Sequence, residues 1–597
     1  DYAQAHLQRN QRNVQRNYNH PSIITWSLGN EAGYGPNFEQ AYHWVKAEDP
    51  SRPVQYEQAG RDGKTDIYCP MYLTYEGCEA YCADPAAGKP LIQCEYAHAM
   101  GNSLGGFKEY WDLARKYPRY QGGFIWDFVD QALRRTGKTG RTIYAYGGDF
   151  NAYDASDNNF CNNGLISPDR RPNPHMYEAG YFYQNIWPRG FDPATGELTL
   201  FNEHFFRSLG AYALEWEVTR DGVPVRNGRI EQLDIAPQAS GRVKIATGPT
   251  DNAAEWLLNL RFILKEQEGL LPAGHVAARS QLELKPYRAP QLAVVPRDGN
   301  LNDAPLRVKD NDRNYLRIQG EGFVAEFNRR TGYLCRYDVH GTPLLKEGHA
   351  LTPHFWRAPT DNDMGAQLQL KYAPWRKPDI RLQSLTHQLQ GDSVTVSAKY
   401  ELPALQAALT LTYAIGRRGA IRVDQQLAPH DGSTAPGLFR FGMQMAMPQE
   451  FEYLDYYGRG PVENYADRNH ATPLGLYSQT VTEQFYPYVR PQETGNKTGI
   501  RRWDIRNAAG RGIRVTATQP FSASALHYTP DCLDDGEQKH QRHSHELEPM
   551  PLTHLCIDLK QMGLGCVNSW GALPREEYLL PCQAYRFTFL IEPLARE

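Results

Sequence analysis

No stretch of this 597-residue chain approaches the roughly 18 to 20 uninterrupted apolar residues of a bilayer-spanning helix, which argues against a membrane-embedded protein. Charge of one sign is missing as well. With 64 basic and 68 acidic residues the formal net charge is -4, so nothing marks nucleic acid or an anionic membrane surface as a partner. The 10 cysteines, from Cys69 to Cys582, are scattered without C-x-x-C pairs. Buried free thiols are therefore expected, not a zinc site or a disulfide scaffold. Internal repeats and low-complexity tracts are absent. The chain opens on Asp1 with no charged and then apolar leader behind it. The natural N-terminus is accordingly expected to be missing or processed, and the compartment, cytoplasmic or periplasmic, is left open.

The length exceeds what one hydrophobic core can organise, and about three to four domains of roughly 100 to 200 residues are expected. Aromatic residues are plentiful, with 37 Tyr and 11 Trp, a wealth that suits sugar binding without proving it. The first 187 residues alternate apolar β-rich runs with helical patterns, as βα units around a parallel sheet do. Strands are expected near Ser22–Ser27, Pro53–Tyr56, Asp66–Cys69, Leu91–Cys94 and Gly123–Trp126, with helices over Phe38–Ala47 and Phe107–Lys116. Five such strands are three short of a (β/α)8 barrel, which normally takes about 250 residues. Residues 1–187 are thus expected to be the C-terminal part of a TIM barrel whose first strands are missing.

After Trp187 the pattern changes to period two with tight turns. Leu214–Arg220, Asp221-Gly222 and Val223–Arg226 read as a hairpin, and residues 188–287 as an immunoglobulin-like β-sandwich. The Pro- and Asn-bearing stretch from Lys285 to Pro305 has no periodicity, so 288–305 is expected to be a linker. Residues 306–597 carry strand patterns such as Ser393–Lys399 and Ala408–Ala414 and no long helix, and are expected to form one large β-sandwich domain.

Two apolar strands each run into a glutamate: Ile23-Ile24-Thr25-Trp26-Ser27-Leu28-Gly29-Asn30-Glu31 and Pro90-Leu91-Ile92-Gln93-Cys94-Glu95. The C-terminal strand ends form the active face of a barrel, so both carboxylates are expected to point into one pocket. Glycoside hydrolysis needs such a pair. One group protonates the departing oxygen while the other attacks the anomeric carbon, and retaining enzymes hold the two roughly 5 to 5.5 Å apart. Taken singly, Glu31 reads equally well as a helix cap and Glu95 as a loop charge; their shared position at strand ends favours catalysis. His540, His543 and His545 resemble a metal cluster, yet i, i+3, i+5 spacing in a polar run reads as a solvated loop.

The stretch Asn19-His20-Pro21-Ser22 through Gly29-Asn30-Glu31 resembles the acid/base motif of glycoside hydrolase family 2. Cys94-Glu95-Tyr96-Ala97-His98-Ala99-Met100-Gly101-Asn102-Ser103 resembles the nucleophile motif of the long multidomain bacterial β-galactosidases in that family. The similarity continues through Gly123-Phe124-Ile125-Trp126-Asp127, Tyr146-Gly147-Gly148-Asp149-Phe150 and Phe160-Cys161-Asn162-Asn163-Gly164-Leu165. It reappears in Arg357-Ala358-Pro359-Thr360-Asp361-Asn362-Asp363 and in Gly458-Arg459-Gly460-Pro461-Val462-Glu463-Asn464-Tyr465. The resemblance implies a retaining exo-β-galactosidase acting on terminal β-galactosyl residues, with Glu31 as acid/base and Glu95 as nucleophile. It also implies that Asn30 binds the sugar 2-hydroxyl, Tyr72 hydrogen-bonds the nucleophile, His98 contacts the 6-hydroxyl and Trp126 packs on the apolar sugar face.

Two metals follow from the same resemblance. Mg²⁺ would take Glu31 as a ligand, with its other ligands upstream of Asp1; Na⁺ would take the Phe160 carbonyl and Asn163, again with an upstream partner. The tryptophan platform beneath the leaving sugar falls, on this reading, to His554 in Leu552-Thr553-His554-Leu555, which makes lactose preference and transglycosylation less certain and leaves room for another aglycone. Other family-2 exoglycosidases, β-glucuronidase or β-mannosidase, share Gly-Asn-Glu, but Asp361-Asn362-Asp363 and Gly460-Pro461 point to the long β-galactosidases. A reading of a different class is a carbohydrate-binding fragment without activity, because an incomplete barrel exposes unpaired strand edges. The missing segment is expected from sequence outside this chain or from another polypeptide, and a homo-oligomer is implied by the family.

Overall fold

The computed structural model describes residues 2–294 and 305–594. Its N-terminal part opens with helix α1 (Ala3–Asn17), whose Leu7, Asn10 and Val14 share one face at helical spacing. Strand β1 (Trp26–Ser27) pairs in parallel with β2 (Val54–Gln55), α2 (Pro36–Glu48) crossing between them. Helix α3 (Tyr75–Ala83), β3 (Leu91–Tyr96), α4 (Phe107–Lys116) and β4 (Tyr120–Ile125) follow, with β3 and β4 again parallel. In α4 the apolar positions Phe107, Tyr110, Trp111 and Ala114 share one face, and Phe107 and Tyr110 are buried beneath it.

Asp66–Cys69 is not a strand. It contributes single parallel bridges, Tyr68 to Leu91 and, beyond its end, Met71 to Glu95. Side chains displace the ladder there: Asp66 Oδ2 accepts from the Val54 amide at 2.8 Å, and Thr65 Oγ1 takes the Tyr56 amide at 3.3 Å. The result is an arc of parallel segments in chain order, extended past β4 by a bridge from Val129 to Ile166. The arc does not close among the described residues. Ile24, just ahead of β1, is 77% exposed and Phe124 on β4 67%, so large apolar side chains lie bare on the arc.

A two-sheet β unit comes next. One sheet holds Ser240–Lys244, Glu197–Asn202 and Ile186–Asp192; the other holds Val223–Ile230, Tyr212–Arg220, Trp256–Leu264 and Val276–Lys285. Leu198, Leu200, Leu214, Leu258 and Phe262 are buried between them. The Asp221-Gly222 hairpin forms where its sequence places it, because both residues adopt the positive φ, 49° and 81°, that a two-residue turn of this twist demands. Residues 286–294 carry neither helix nor strand, and the remainder of the expected linker, 295–304, lies outside the described residues.

The rest is built on a nine-stranded and two five-stranded sheets around one large apolar core. The strands read at Ser393–Lys399 and Ala408–Ala414 are the middles of Ser393–Leu402 and Ala407–Gly416. The loop after Leu552–Gln561 reaches back to the arc: Cys566 and Val567 join its core, and the Gly105 amide donates to Gly565 O at 3.1 Å. This contact carries residues from the far end of the sequence to the ends of β3 and β4.

Candidate active site

The pairing of β3 with β4 shifts register between Gln93 and Tyr96, a break in the alternation at Glu95: Leu91 and Tyr96 both join the core beneath the helices, and the Glu95 carboxyl turns to Tyr72. Gln93 is fully buried and braces the site. Its Oε1 accepts from the Leu73 amide at 2.7 Å, and its Nε2 donates to the Tyr120 hydroxyl at 2.9 Å. Tyr72, next to Leu73, sits at φ 51° and is held twice to the same residue. Its amide donates to Glu95 O at 2.9 Å and its hydroxyl to Glu95 Oε2 at 2.8 Å.

Burial pushes the Glu95 carboxyl above its ordinary range, the Tyr72 hydroxyl pulls it back, and the charges of Glu31 and Glu57 push it up again. Three carboxylates therefore act at one end of the arc. Tyr72 is itself raised far above the normal phenol range by burial and by Glu95, so it remains a donor at any working pH.

Glu31 stands on the exposed side, at φ 50° in the loop after β1. Its amide donates to Glu57 Oε1 at 2.8 Å, the Gln58 amide donates to Glu57 Oε2 at 2.8 Å, and the Ala32 amide reaches the Tyr56 hydroxyl at 3.1 Å. Glu57, absent from the sequence reading, thus ties the loops after β1 and β2 together. Asn30 is exposed beside Glu31.

Behind Tyr72 stands an aromatic wall. The His98 ring, almost wholly buried, lies 5.7 Å from Tyr72 and 5.3 Å from Phe160 between centroids. Burial lowers its pKa to about 4 against a smaller opposing pull from Asp361, so the ring is neutral at neutral pH. Trp126, 38% exposed, follows β4; its amide donates to Tyr96 O at 3.1 Å and its carbonyl accepts from Ala99 N at 2.9 Å.

His554 is not part of this site. It is buried in the strand Leu552–Gln561, with Nε2 2.9 Å from Gln444 Oε1 and its pKa pushed down to about 3 by burial. The strand's inner face packs into the β core, so no leaving group can reach it. The residue that does arrive from the last domain is Trp570, 47% exposed, edge-on to Tyr72 at 4.7 Å and to His98 at 5.1 Å. Trp570 lies in the short turn Asn568-Ser569-Trp570-Gly571, which has no periodicity to betray it; an aromatic between small turn residues was the one available signal. His543 also departs from expectation, being buried with Nε2 3.0 Å from Asp149 Oδ1 and not solvated.

Oxygen donors suited to a hard cation lie near the wall. Asn163 Oδ1 is buried without a hydrogen-bond partner, and Asn163 Nδ2 donates to the Phe160 carbonyl at 2.8 Å, so the same side chain that touches this carbonyl carries an unpartnered oxygen suited to a hard cation. Glu31 has no comparable company. Glu57 spends both oxygens on amides, and among the described residues no three His, Cys, Asp or Glu side chains gather as a metal cage.

The motif Asp361-Asn362-Asp363 anchors this wall from the β domain. Asp361 accepts from Asn159, Gln492, Arg490 and Lys539; Asp363 takes a bidentate pair from buried Arg357 at 2.9 and 2.8 Å. Asn102, seven residues past Glu95, donates to Tyr465 and to Glu493 O and accepts from Arg468.

Residues 1–187 match the family described as "Glycosyl hydrolases family 2, TIM barrel domain", 198–285 match "Beta-galactosidase, domain 4", and 319–591 match "Beta galactosidase small chain". The chain belongs to glycoside hydrolase family 2. Over 98% of its length it is 36% identical to a protein named beta-galactosidase from Priestia megaterium and 34% identical to one from Vibrio cholerae. Another, from Pseudoalteromonas haloplanktis, is 32% identical over 99% of this chain. The chain spans 56 to 58% of these relatives' own length.

Proposed function

We propose that this chain carries the catalytic pair of a retaining exo-β-galactosidase. The observation that supports it most is the Tyr72–Glu95 hydrogen bond beneath a carboxylate that also feels the charge of Glu31. Glu95, kept ionised by Tyr72, attacks the anomeric carbon and forms an ester to the sugar. Glu31 gives its proton to the glycosidic oxygen, and the aglycone leaves with it. Glu31, now a carboxylate, takes a proton from water; the water oxygen attacks the same carbon and expels Glu95, so two inversions retain configuration. Asn30 and His98 would hold sugar hydroxyls, Trp126 the apolar sugar face, and the exposed Trp570 indole, rather than His554, the leaving group.

In this reading the arc is the C-terminal part of a (β/α)8 barrel, and the unit after it is an immunoglobulin-like sandwich. The unclosed arc and the exposed apolar side chains of Ile24 and Phe124 support closure by strands from outside this chain, in the same protein or in another polypeptide. Asn163 Oδ1 and the Phe160 carbonyl would hold Na⁺, which would supply a positive contact for a sugar oxygen. For Mg²⁺ the described residues offer Glu31 without further carboxylates or histidines to complete a cage.

Hydrolysis of nitrophenyl β-galactoside, β-glucuronide and β-mannoside by the full-length protein tests the substrate. The galactoside is expected to have the highest kcat/KM. Preference for either of the others would make the chain a different family-2 exoglycosidase. Closure from outside is tested by the mass of the active species, since activity in a lone monomer of this chain would refute it.

A further inference from the structure

Resting on the proposal that Glu31 and Glu95 face a bound sugar, we infer that Asn362 and Ser569 lock His98 in the tautomer with hydrogen on Nδ1, leaving Nε2 as an acceptor for one sugar hydroxyl. Asn362 is buried in the first turn of the helix Asp361–Gly365, whose N-cap Thr360 forms a capping box with Asp363. Its Nδ2 lies 3.0 Å from the Leu564 carbonyl and 3.1 Å from the Gly565 carbonyl. Both carbonyls can only accept, so the nitrogen must face them and Oδ1 must face the other way.

Oδ1 meets Ser569 Oγ at 2.6 Å. An amide oxygen has no proton to give, and two bare oxygens at that distance repel, so the single serine proton lies between them. Ser569 Oγ is left with lone pairs only, and it sits 2.7 Å from His98 Nδ1. That nitrogen must therefore carry a hydrogen.

No carboxylate hydrogen-bonds the His98 ring among the described residues, and Tyr72, Phe160 and Trp570 wall it off. The neutral ring then has its lone pair on Nε2, which makes no hydrogen bond among the described residues. Tyr72 cannot fill that role, since its hydroxyl is committed to Glu95. His98 reads a hydroxyl as a donor. A sugar bearing fluorine or an O-methyl group at that carbon would set one acceptor against another.

Ser569 and Asn362 are positioning residues, acting through His98. Neutron diffraction from deuterated crystals of the full-length enzyme is expected to show deuterium on His98 Nδ1 and none on Nε2. In kinetics across a series of monodeoxy nitrophenyl galactosides, Ser569→Ala is expected to lower kcat/KM for the parent sugar about tenfold, roughly the worth of one oriented hydrogen bond. For the one deoxy sugar lacking the hydroxyl that His98 reads, the loss shrinks to under about twofold, and Ser569→Thr, which keeps the hydroxyl, restores the parent rate. Deuterium on Nε2, or an equal penalty across the whole series, overturns the inference. An enzyme that cleaves no β-galactoside defeats the proposed function alone, because the neutron map still decides the tautomer.

Discussion

The two glutamates proposed as the catalytic pair sit in unlike surroundings. Glu95 is the fifth residue of a six-residue strand, is half-buried, and stands in a wall pinned from the β domain through Asp361, Asn362, Gln492 and Ser569. Glu31 follows a two-residue strand, is exposed, and depends on Glu57 and Tyr56 from the neighbouring loop of its own arc. The difference matches the division of labour proposed for them. A nucleophile must be aimed at one carbon within fractions of an ångström, which calls for a dense hydrogen-bonded surround. An acid that becomes a base must exchange protons with a leaving group and with water, which calls for access.

The sharpest way to break this comparison is Glu95→Gln. Removing the nucleophile is expected to cut kcat/KM by roughly 10⁴- to 10⁶-fold and to abolish the covalent adduct with a 2-fluoro galactoside, seen by mass spectrometry. Near-normal turnover would show that the buried carboxylate has no such role. Glu31→Gln is expected to cost less, about 10²- to 10⁴-fold on substrates with poor leaving groups. It should spare formation of the glycosyl-enzyme from activated aryl galactosides, and added azide should rescue turnover as a galactosyl azide of retained configuration. If azide does nothing, the exposed carboxylate is not the acid/base.

Tyr72→Phe sharpens the contrast with a smaller effect. Catalysis needs Glu95 ionised, and its pKa is raised, so the acid limb of kcat/KM should lie above the usual glutamate value of about 4.3. The tyrosine hydroxyl favours the ionised form; losing it should move that limb further up by about one pH unit, the worth of one hydrogen bond to a charged group. A limb that stays put, or moves down, would show that the Tyr72 contact does not tune the nucleophile.

Much of the Glu95 half was legible in the sequence. An apolar run ending in Cys94-Glu95, with Tyr72 and His98 placed by resemblance, maps onto neighbouring side chains. The Asp221-Gly222 hairpin was legible for a local reason, since two positive-φ residues between alternating runs leave the chain little choice. Asp66–Cys69 misled because Thr65 and Asp66 compete for amides that a strand would have paired, and period two cannot report that competition. His554 misled for the opposite reason. It was placed by resemblance alone, and its strand is buried along both faces in the β core, a fact that depends on the sheets packed around it.

The sequence by itself determined the chemistry available: two glutamates at the ends of apolar strands, a tyrosine and a histidine near one of them, and a chain whose β-rich majority follows the arc. Those properties reside in residue identity and local periodicity. Only the tertiary structure decided which distant groups complete the site, bringing Trp570 against Tyr72 and setting Asn362 and Ser569 behind His98. Trp570 and Ser569 lie in a turn, and Asn362 in a short helix, more than 250 residues from β3, where no local pattern encodes a partner; Cys566 and Val567, buried in the core of the arc, bring that turn to the site.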